Sequence, residues 1–356
     1  FFPKSWVLYQ PKQCAKFFKE FNSKEYARLK KERNIVYIQK IGAKVHRGAG
    51  VLPVDVKVEN ELRQLYKNGT LCREVRRQYV IQSFIHNPLL LDGHKFDFRV
   101  YLLVASTNPV IAYAYDGYVR VSIHDYSTNA KHIGAMLTNT ALSENFFNFA
   151  RDNGTYRGMN ETELRDYHVW SFKRFHTYLM EHGWVTDENW LDNYLRPEMR
   201  KMMMHAVRFS QGSYLKTSQI YGLLGLDLMM DSNLNLWFIE GNVKPGLNGF
   251  SESNKEFIAQ MIIDHFEIVF GLLRSRTKRI INFVNEMIEN GEAWRITGTK
   301  VFIKDLETKR EEFKEMIKNR FEPEFEISQE NGFTKIIDEN FDGVERYMGL
   351  LSEDCL

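Results

Sequence analysis

Apolar and polar positions alternate with period two through several stretches of the chain, which predicts strands. "IVYIQK" (35–40), residues 79–86 "YVIQSFIH", and "FDFRVYLLVAS" (96–106) have this character. "VIAYAYDGYVRVSI" (110–123) divides at Asp116-Gly117, an expected hairpin turn between two strand-like halves. "GLLGLDLMM" and "LNLWFIE" flank Asp231-Ser232-Asn233, a second expected hairpin. Helical periodicity marks 58–67, 166–181 and 197–209, and follows Ser253, which with Glu256 matches a capping box. Phe257, Met261, Ile262, Phe266, Val269 and Leu273 give that last helix its apolar spacing. Residues 16–33 form a basic helix-like stretch, and the charged tail, 295–356, reads as an appendage. Without regular β-α-β alternation, the expected class is α+β, with antiparallel sheets flanked by helices and a helical C-terminal extension.

Composition narrows this only modestly. The chain has 356 residues and a net charge of +2, so an acidic partner must be met by a local patch. Cys14, Cys72 and Cys355 form no C-x-x-C pair, which predicts neither disulfide framework nor zinc site and points to a reducing compartment. No apolar run reaches transmembrane length, and "FFPKSW" is neither an initiator Met nor a signal peptide, which suggests preceding chain.

Chemistry-bearing residues cluster in three places. In "WFIEGNVKPG" (237–246), Glu240 and Asn242 are two residues apart, so they share a strand face, and the expected hairpin sets Asp227 opposite them. Two carboxylates and a carboxamide in apolar surroundings suit a hard cation such as Mg²⁺. On spacing alone, a turn-bonding Asp227 and a lysine-paired Glu240 account for the pattern equally well. "GHKFDFRVY" puts Lys95, Asp97 and Arg99 on one strand face. With Arg120 they read as a cationic floor for phosphate or carboxylate, although a solvated, internally salt-bridged face is the commoner case. "KIGAKVHRGAG" (40–50) is a glycine-rich loop with Lys40, Lys44 and Arg47, but not a P-loop. "RSRTKR" (274–279) reads as a solvated helix face.

Taken in order from Phe1 to about residue 265, these motifs resemble the tubulin–tyrosine-ligase-like family, whose catalytic fold is of the ATP-grasp type. The resemblance rests on "FFPKSWVL", "YIQKIGAKVHRGAGV", "YVIQSFIHNPLLLDGHKFDFRVY", "DGYVR", "LTNTAL" and "LLGLDLMMDSNLNLWFIEGNVKPGL". It implies ATP and Mg²⁺ as cofactors, with Asp227, Glu240 and Asn242 as metal ligands and Lys40 and Lys95 on the phosphates. Arg47 and Gly48 would belong to a mobile loop. Gln82, Ser83, Phe84 and Ile85 would hold the adenine, and Phe96, Asp97, Thr138 and Asn139 would help place the nucleotide. Arg99 and Arg120, with Glu240, would serve catalysis by orienting carboxylates. The implied reaction joins a free amino acid, glycine or glutamate, to a glutamate of a tubulin tail through an acyl phosphate. The implied setting is the cytoplasm and cytoskeleton, including the cilium, without nucleic acid or membrane insertion.

The implied division is an N-terminal portion to residue 80, a catalytic portion at 81–270 and an extension at 271–356. Ile41, Ser83-Phe84, Met136, Gly241 and Lys244 depart from the family's usual residues. Those departures raise the alternative of an inactive ligase-fold subunit of a larger, ciliary assembly.

Overall fold

The structure, a computed structural model, describes residues 1–41, 50–73, 79–129, 136, 138, 159–212, 220–247, 252–298 and 300–340. The smaller of its two main sheets is built by residues 1–83. The strands β1 (Ser5–Val7), β2 (Tyr37–Ile41), β3 (Val51–Pro53) and β4 (Tyr79–Ser83) pair antiparallel in the order β1-β4-β2-β3. Helices α1 (Pro11–Phe21), α2 (Lys24–Glu32) and α3 (Val56–Lys67) accompany it. Ser23 separates the first two helices, because its hydroxyl accepts the Tyr26 N–H as a cap, and Asp55 caps α3 in the same way. Their aromatic faces, Phe17, Phe21 and Tyr26, pack with Trp6 and Tyr37 into one core.

Cys14 and Cys72 are joined as a disulfide across this core, with Cα atoms 5.5 Å apart. This corrects the expectation of unpaired cysteines, which spacing along the chain could not test because the partners are 58 residues apart.

The larger sheet contains β5 (Leu90–Leu91), β6 (His94–Thr107), β7 (Val110–Asp125), β8 (Val169–Ser171), β9 (Gly222–Met230), β10 (Leu236–Asn242) and β13 (Thr334–Asp338). Its main path runs β10-β9-β6-β7-β13, all antiparallel, while β5 pairs with β6 and β8 with β7. On one face, Phe96, Phe98, Val100 and Leu102 meet α5 (Phe172–Glu181) and α6 (Arg196–Gln211). On the other, Tyr101, Leu103 and Tyr113 meet the long helix α7 (Glu252–Glu289). The helix α4 (Glu161–His168) begins in a capping box made by Asn160 and Glu163. The helical pattern at 166–181 is interrupted at Val169–Ser171, where three residues leave it to pair with Tyr118–Arg120.

Several expectations are corrected here. Asp116-Gly117 is not a turn: β7 runs through it, and the hairpin between β6 and β7 closes at Asn108-Pro109. The ladder slips between the pairs Arg99–Tyr118 and Tyr101–Tyr115, so Asp116-Gly117 is a β-bulge. Gly117 is required there, since a Cβ would lie 1.6 Å from the Arg99 carbonyl oxygen. Asp116, turned out of the ladder, takes the Arg196 guanidinium at 2.6 to 3.1 Å.

The last long helix begins at Glu252, so Ser253 is its second residue and not its cap. Its buried face is Ile258, Met261, His265, Ile268 and Leu272, whereas Phe266 and Leu273 are exposed. Within "RSRTKR", Ser275 and Arg279 are buried, because residues 318–322 fold back onto them and Arg279 binds Glu322 and the Arg320 carbonyl. The charged tail is not all appendage. After the hairpin β11 (Ala293–Thr297) and β12 (Lys300–Ile303) and the helix α8 (Arg310–Met316), strand β13 completes the larger sheet.

Candidate active site

The charged face of β6 lies where the two sheets meet. In the ladder, Glu240 stands opposite Asp227, Asp227 opposite Arg99, and Asp97 opposite Arg120. A regular β10 would not do this. Phe238 pairs with Leu228, so Glu240 should face Leu226; a bulge at Ile239 moves it to Asp227. A slip of one residue exchanges the two faces, so the bulge is what turns Glu240 toward the site. It also frees the Ile239 carbonyl, which accepts the Lys40 ammonium from the smaller sheet at 3.0 Å.

The side chains converge as this register requires. Arg99 grips Asp227 in a bidentate pair, Nε to Oδ1 at 2.6 Å and Nη2 to Oδ2 at 3.0 Å. Arg120 grips Asp97 likewise at 2.6 and 2.8 Å, and its Nη2 lies 3.1 Å from Asp227 Oδ2. Gly225 makes room for Pro245 and Arg99, since a Cβ there would stand 2.9 Å from the Pro245 Cβ and 3.3 Å from the Arg99 Cδ. Asn242 donates to Glu240 at 3.3 Å and to Asp227 at 3.5 Å. The Thr138 hydroxyl donates to Asp97, and Lys95 donates to the Met136 carbonyl at 2.6 Å. All of these cations and aspartates on β6, β7 and β9 are buried, while Glu240 is exposed on the edge strand.

This revises the expected cationic floor. The face is neither solvated nor simply positive: its arginines are matched by aspartates, and four cations (Lys40, Lys95, Arg99, Arg120) meet three carboxylates (Asp97, Asp227, Glu240). Burial pushes the Lys95 pKa down to about 8, against the pull of Asp97. Burial lowers Lys40 too, opposed by Glu240 and Asp227. Two aspartates on the same face move apart. Burial raises Asp97 despite Arg120, whereas for Asp227 the arginines Arg120 and Arg99 overcome burial and hold it low.

The predicted hinge sits at the end of β4. Gln82 pairs with both neighbouring strands and reaches the Ser5 hydroxyl at 3.1 Å. The Ser83 and Phe84 N–H groups bond the Lys4 and Val36 carbonyls. Phe84 packs on Ile35 and Met136, with Lys95 5.6 Å above its ring, and Ile85 follows where the chain leaves the sheet. Phe96 points to the opposite, apolar core. Arg47, Gly48 and Asn139 lie outside the described residues. The backbone acceptors Ile239 and Met136 were not foreseen, since neither carbonyl has a side-chain signature.

Among the described residues no group of three or more His, Cys, Asp or Glu stands ready for a metal. Glu240, Asp227 and Asn242 nevertheless bring together two carboxylates and a carboxamide, an oxygen set of the kind that suits a hard cation, with Glu240 exposed on the edge strand and Asp227 buried on β9 and held by Arg99 and Arg120.

The family model described as "Tubulin-tyrosine ligase family" matches residues 1–278. The chain is 27% identical over 223 residues to the inactive polyglycylase TTLL10 of Homo sapiens, covering 60% of this chain and 31% of that protein. It is 28% identical over 224 residues to tubulin glycylase 3A of Drosophila melanogaster, covering 63% and 21%. To tubulin monoglutamylase TTLL4 of Homo sapiens it is 27% identical over 198 residues, covering 53% and 16%. The chain thus spans a third or less of the length of these relatives. With the family model matching most of its length, the chain belongs to the tubulin-tyrosine ligase family and has that family's ATP-grasp-like α+β fold.

Proposed function

We propose that the chain is an ATP- and Mg²⁺-dependent, ADP-forming carboxylate–amine ligase that adds glycine or glutamate to glutamate side chains of tubulin tails. The observation that carries this reading is the charged row from Glu240 through Asp227 to Arg99, with Lys40 reaching β10 from the smaller sheet and Lys95 on the same face of β6 as Arg99. Relatives named as glycylase and monoglutamylase support the reaction class and leave both amino acids open.

We assign the roles as follows. Lys40 and Lys95 bind phosphate oxygens, and the hinge from Gln82 to Ile85 holds the adenine. Arg47, Gly48 and Asn139 are assigned to nucleotide binding with them, while Phe96 supports the strand and Asp97 and Thr138 anchor its polar face. Asp227, Glu240 and Asn242 would hold Mg²⁺, which when bound neutralises phosphate charge. Arg99 and Arg120 orient carboxylates. Transfer of the terminal phosphoryl group to the acceptor carboxylate gives an acyl phosphate and ADP. Attack by the amine of the free amino acid then forms the amide and releases phosphate. Positioned charges in a buried site are the catalytic means. In this reading residues 1–80 and 81–270 close on the nucleotide, and 271–356 is an extension. The acceptor is an acidic tail on the cytoplasmic, cytoskeletal or ciliary side. No nucleic acid is involved, and among the described residues no helix is long and apolar enough to cross a membrane.

A second reading is an inactive ligase-fold subunit of a larger, ciliary assembly. It is favoured by the arginines already engaged on Asp97 and Asp227, and by a relative named as inactive. Thermal shift with ATP and Mg²⁺ separates the two, since the ligase must be stabilised and a subunit without a nucleotide site must not. Glu240→Gln should then leave the fold intact and abolish transfer of labelled amino acid to microtubules; retained transfer removes Glu240 from the mechanism.

A further inference from the structure

The hairpin of β11 and β12 pairs with no other described strand. One of its faces is used by the fold: Ala293, Val301 and Ile303 pack with Met287 of α7 and Phe313 of α8. A lone two-stranded ribbon is marginal in water, so this packing holds it in place. The opposite face sends large apolar side chains into solvent. Trp294 and Phe302 stand opposite each other in the ladder with their rings stacked, centroids 4.4 Å apart. Beside them Ile296 is the extra residue of a β-bulge between Arg295 and Thr297. Trp294, Ile296 and Phe302 are 50%, 56% and 45% exposed. Single exposed apolar residues are ordinary, but three together on one ribbon mark an interaction surface.

Charge narrows the partner. Residues 293–304 hold three cations, Arg295, Lys300 and Lys304, and no Asp or Glu. Lys300, Phe302 and Lys304 alternate along β12 and its continuation, where the Lys304 N–H bonds the Glu292 carbonyl at 2.8 Å. The two lysines therefore flank the Phe302 ring on its own face. All three cations are exposed, and none is ion-paired to a described residue. The cations that follow are different: Lys309 meets Glu292, and Arg310 meets Glu307. The hairpin thus presents a stacked aromatic pair among uncompensated positive charges. Its complement is a partner that is negative and also takes up apolar surface. The ribbon has no described strand along either edge to wall a groove, so it fits a flat partner better than a narrow peptide. At a bilayer interface aromatic rings rest at headgroup level, while lysine stems lie along apolar surface and their ammonium groups meet anionic lipid.

We propose that this face of the hairpin is a peripheral docking surface for an anionic lipid bilayer. Trp294, Ile296 and Phe302 enter the headgroup layer, and Arg295, Lys300 and Lys304 meet its charge. The surface uses no residue of the candidate active site and holds whether or not the chain is a ligase.

Cosedimentation of the full chain with phosphatidylcholine vesicles, with and without phosphatidylserine, tests it. The wild type should bind the vesicles that contain phosphatidylserine, less tightly as salt rises, and should bind phosphatidylcholine alone far more weakly. Lys300→Gln and Lys304→Gln should each weaken binding about fivefold, and Trp294→Ala about tenfold. Melting temperatures should stay at the wild-type value, because these side chains point away from the packed face; the lysine variants keep the test independent of the aromatic pair. Wild type that binds neither vesicle, or both equally, overturns the proposal. So does equal vesicle binding by Trp294→Ala, Lys300→Gln and wild type. Polyglutamate or single-stranded RNA bound in preference to vesicles, and lost in Trp294→Ala, would assign the face to another partner and also overturns it. Self-association in sedimentation velocity that Trp294→Ala abolishes would do the same by assigning the face to a second copy of the chain.

Discussion

Lys95 is buried beside Asp97, and burial brings its pKa down to about 8. The sign of the resulting linkage is definite. Between pH 8 and the ordinary lysine value of 10.5, the unfolded chain holds a proton that the folded chain has lost. Stability from this group therefore rises with pH across that window and is at its minimum, by about 3 kcal/mol, below it. Lys95→Met should accordingly be more stable than wild type in urea denaturation at pH 7, with the gap closing toward pH 10. A variant that is less stable at pH 7 would show that Lys95 stabilises the fold and has not been retained at a cost for phosphate. The residue types of this site were legible because strand alternation places Lys95, Asp97 and Arg99 together. Their charge balance was not, since Asp227 reaches Arg99 from a strand 128 residues away.

Bulges set the site at the level of elements, and sequence pattern reads them poorly. The Asp231-Ser232-Asn233 hairpin was evident, because two apolar runs flank a polar turn and the strands pair as expected. Asp116-Gly117 carries the same local signal and is no turn, because the β6–β7 hairpin already closes at Asn108-Pro109 and both strands are long enough to continue. Turn propensity is local, whereas strand continuation is decided by the partner. The glycine that looks like a turn residue is there for close approach to Arg99. Gly117→Ala should force the Arg99 carbonyl aside, destabilising the protein by about 3 kcal/mol in chemical denaturation. It should also weaken ATP binding more than its distance from the nucleotide suggests, since Arg99 carries Asp227. A variant with wild-type stability and ATP affinity would mean that the backbone there yields freely.

At the scale of the whole molecule, two long-range links escape the pattern. Strand β13 adds residues 334–338 to the edge of β7, yet its sequence, Thr-Lys-Ile-Ile-Asp, is too short to stand out from a charged tail. The other link is the Cys14–Cys72 disulfide, which closes a segment containing β2 with Lys40, β3 and α3. Of the two cysteines, Cys14 is fully buried on α1, in a core shared with Phe17, Tyr37 and Leu62. The chain-entropy account gives a closed loop of this length about 4 kcal/mol of stabilisation. That stabilisation acts on the smaller sheet, the side from which Lys40 reaches the Ile239 carbonyl. Reduction should therefore lower the unfolding midpoint of the smaller sheet and loosen ATP binding through Lys40, while the larger sheet, held by its own core, retains hydrogen-exchange protection. Peptide mapping under non-reducing conditions should find the two cysteine peptides joined. An unchanged midpoint after complete reduction would place the stability of this sheet in its aromatic core alone.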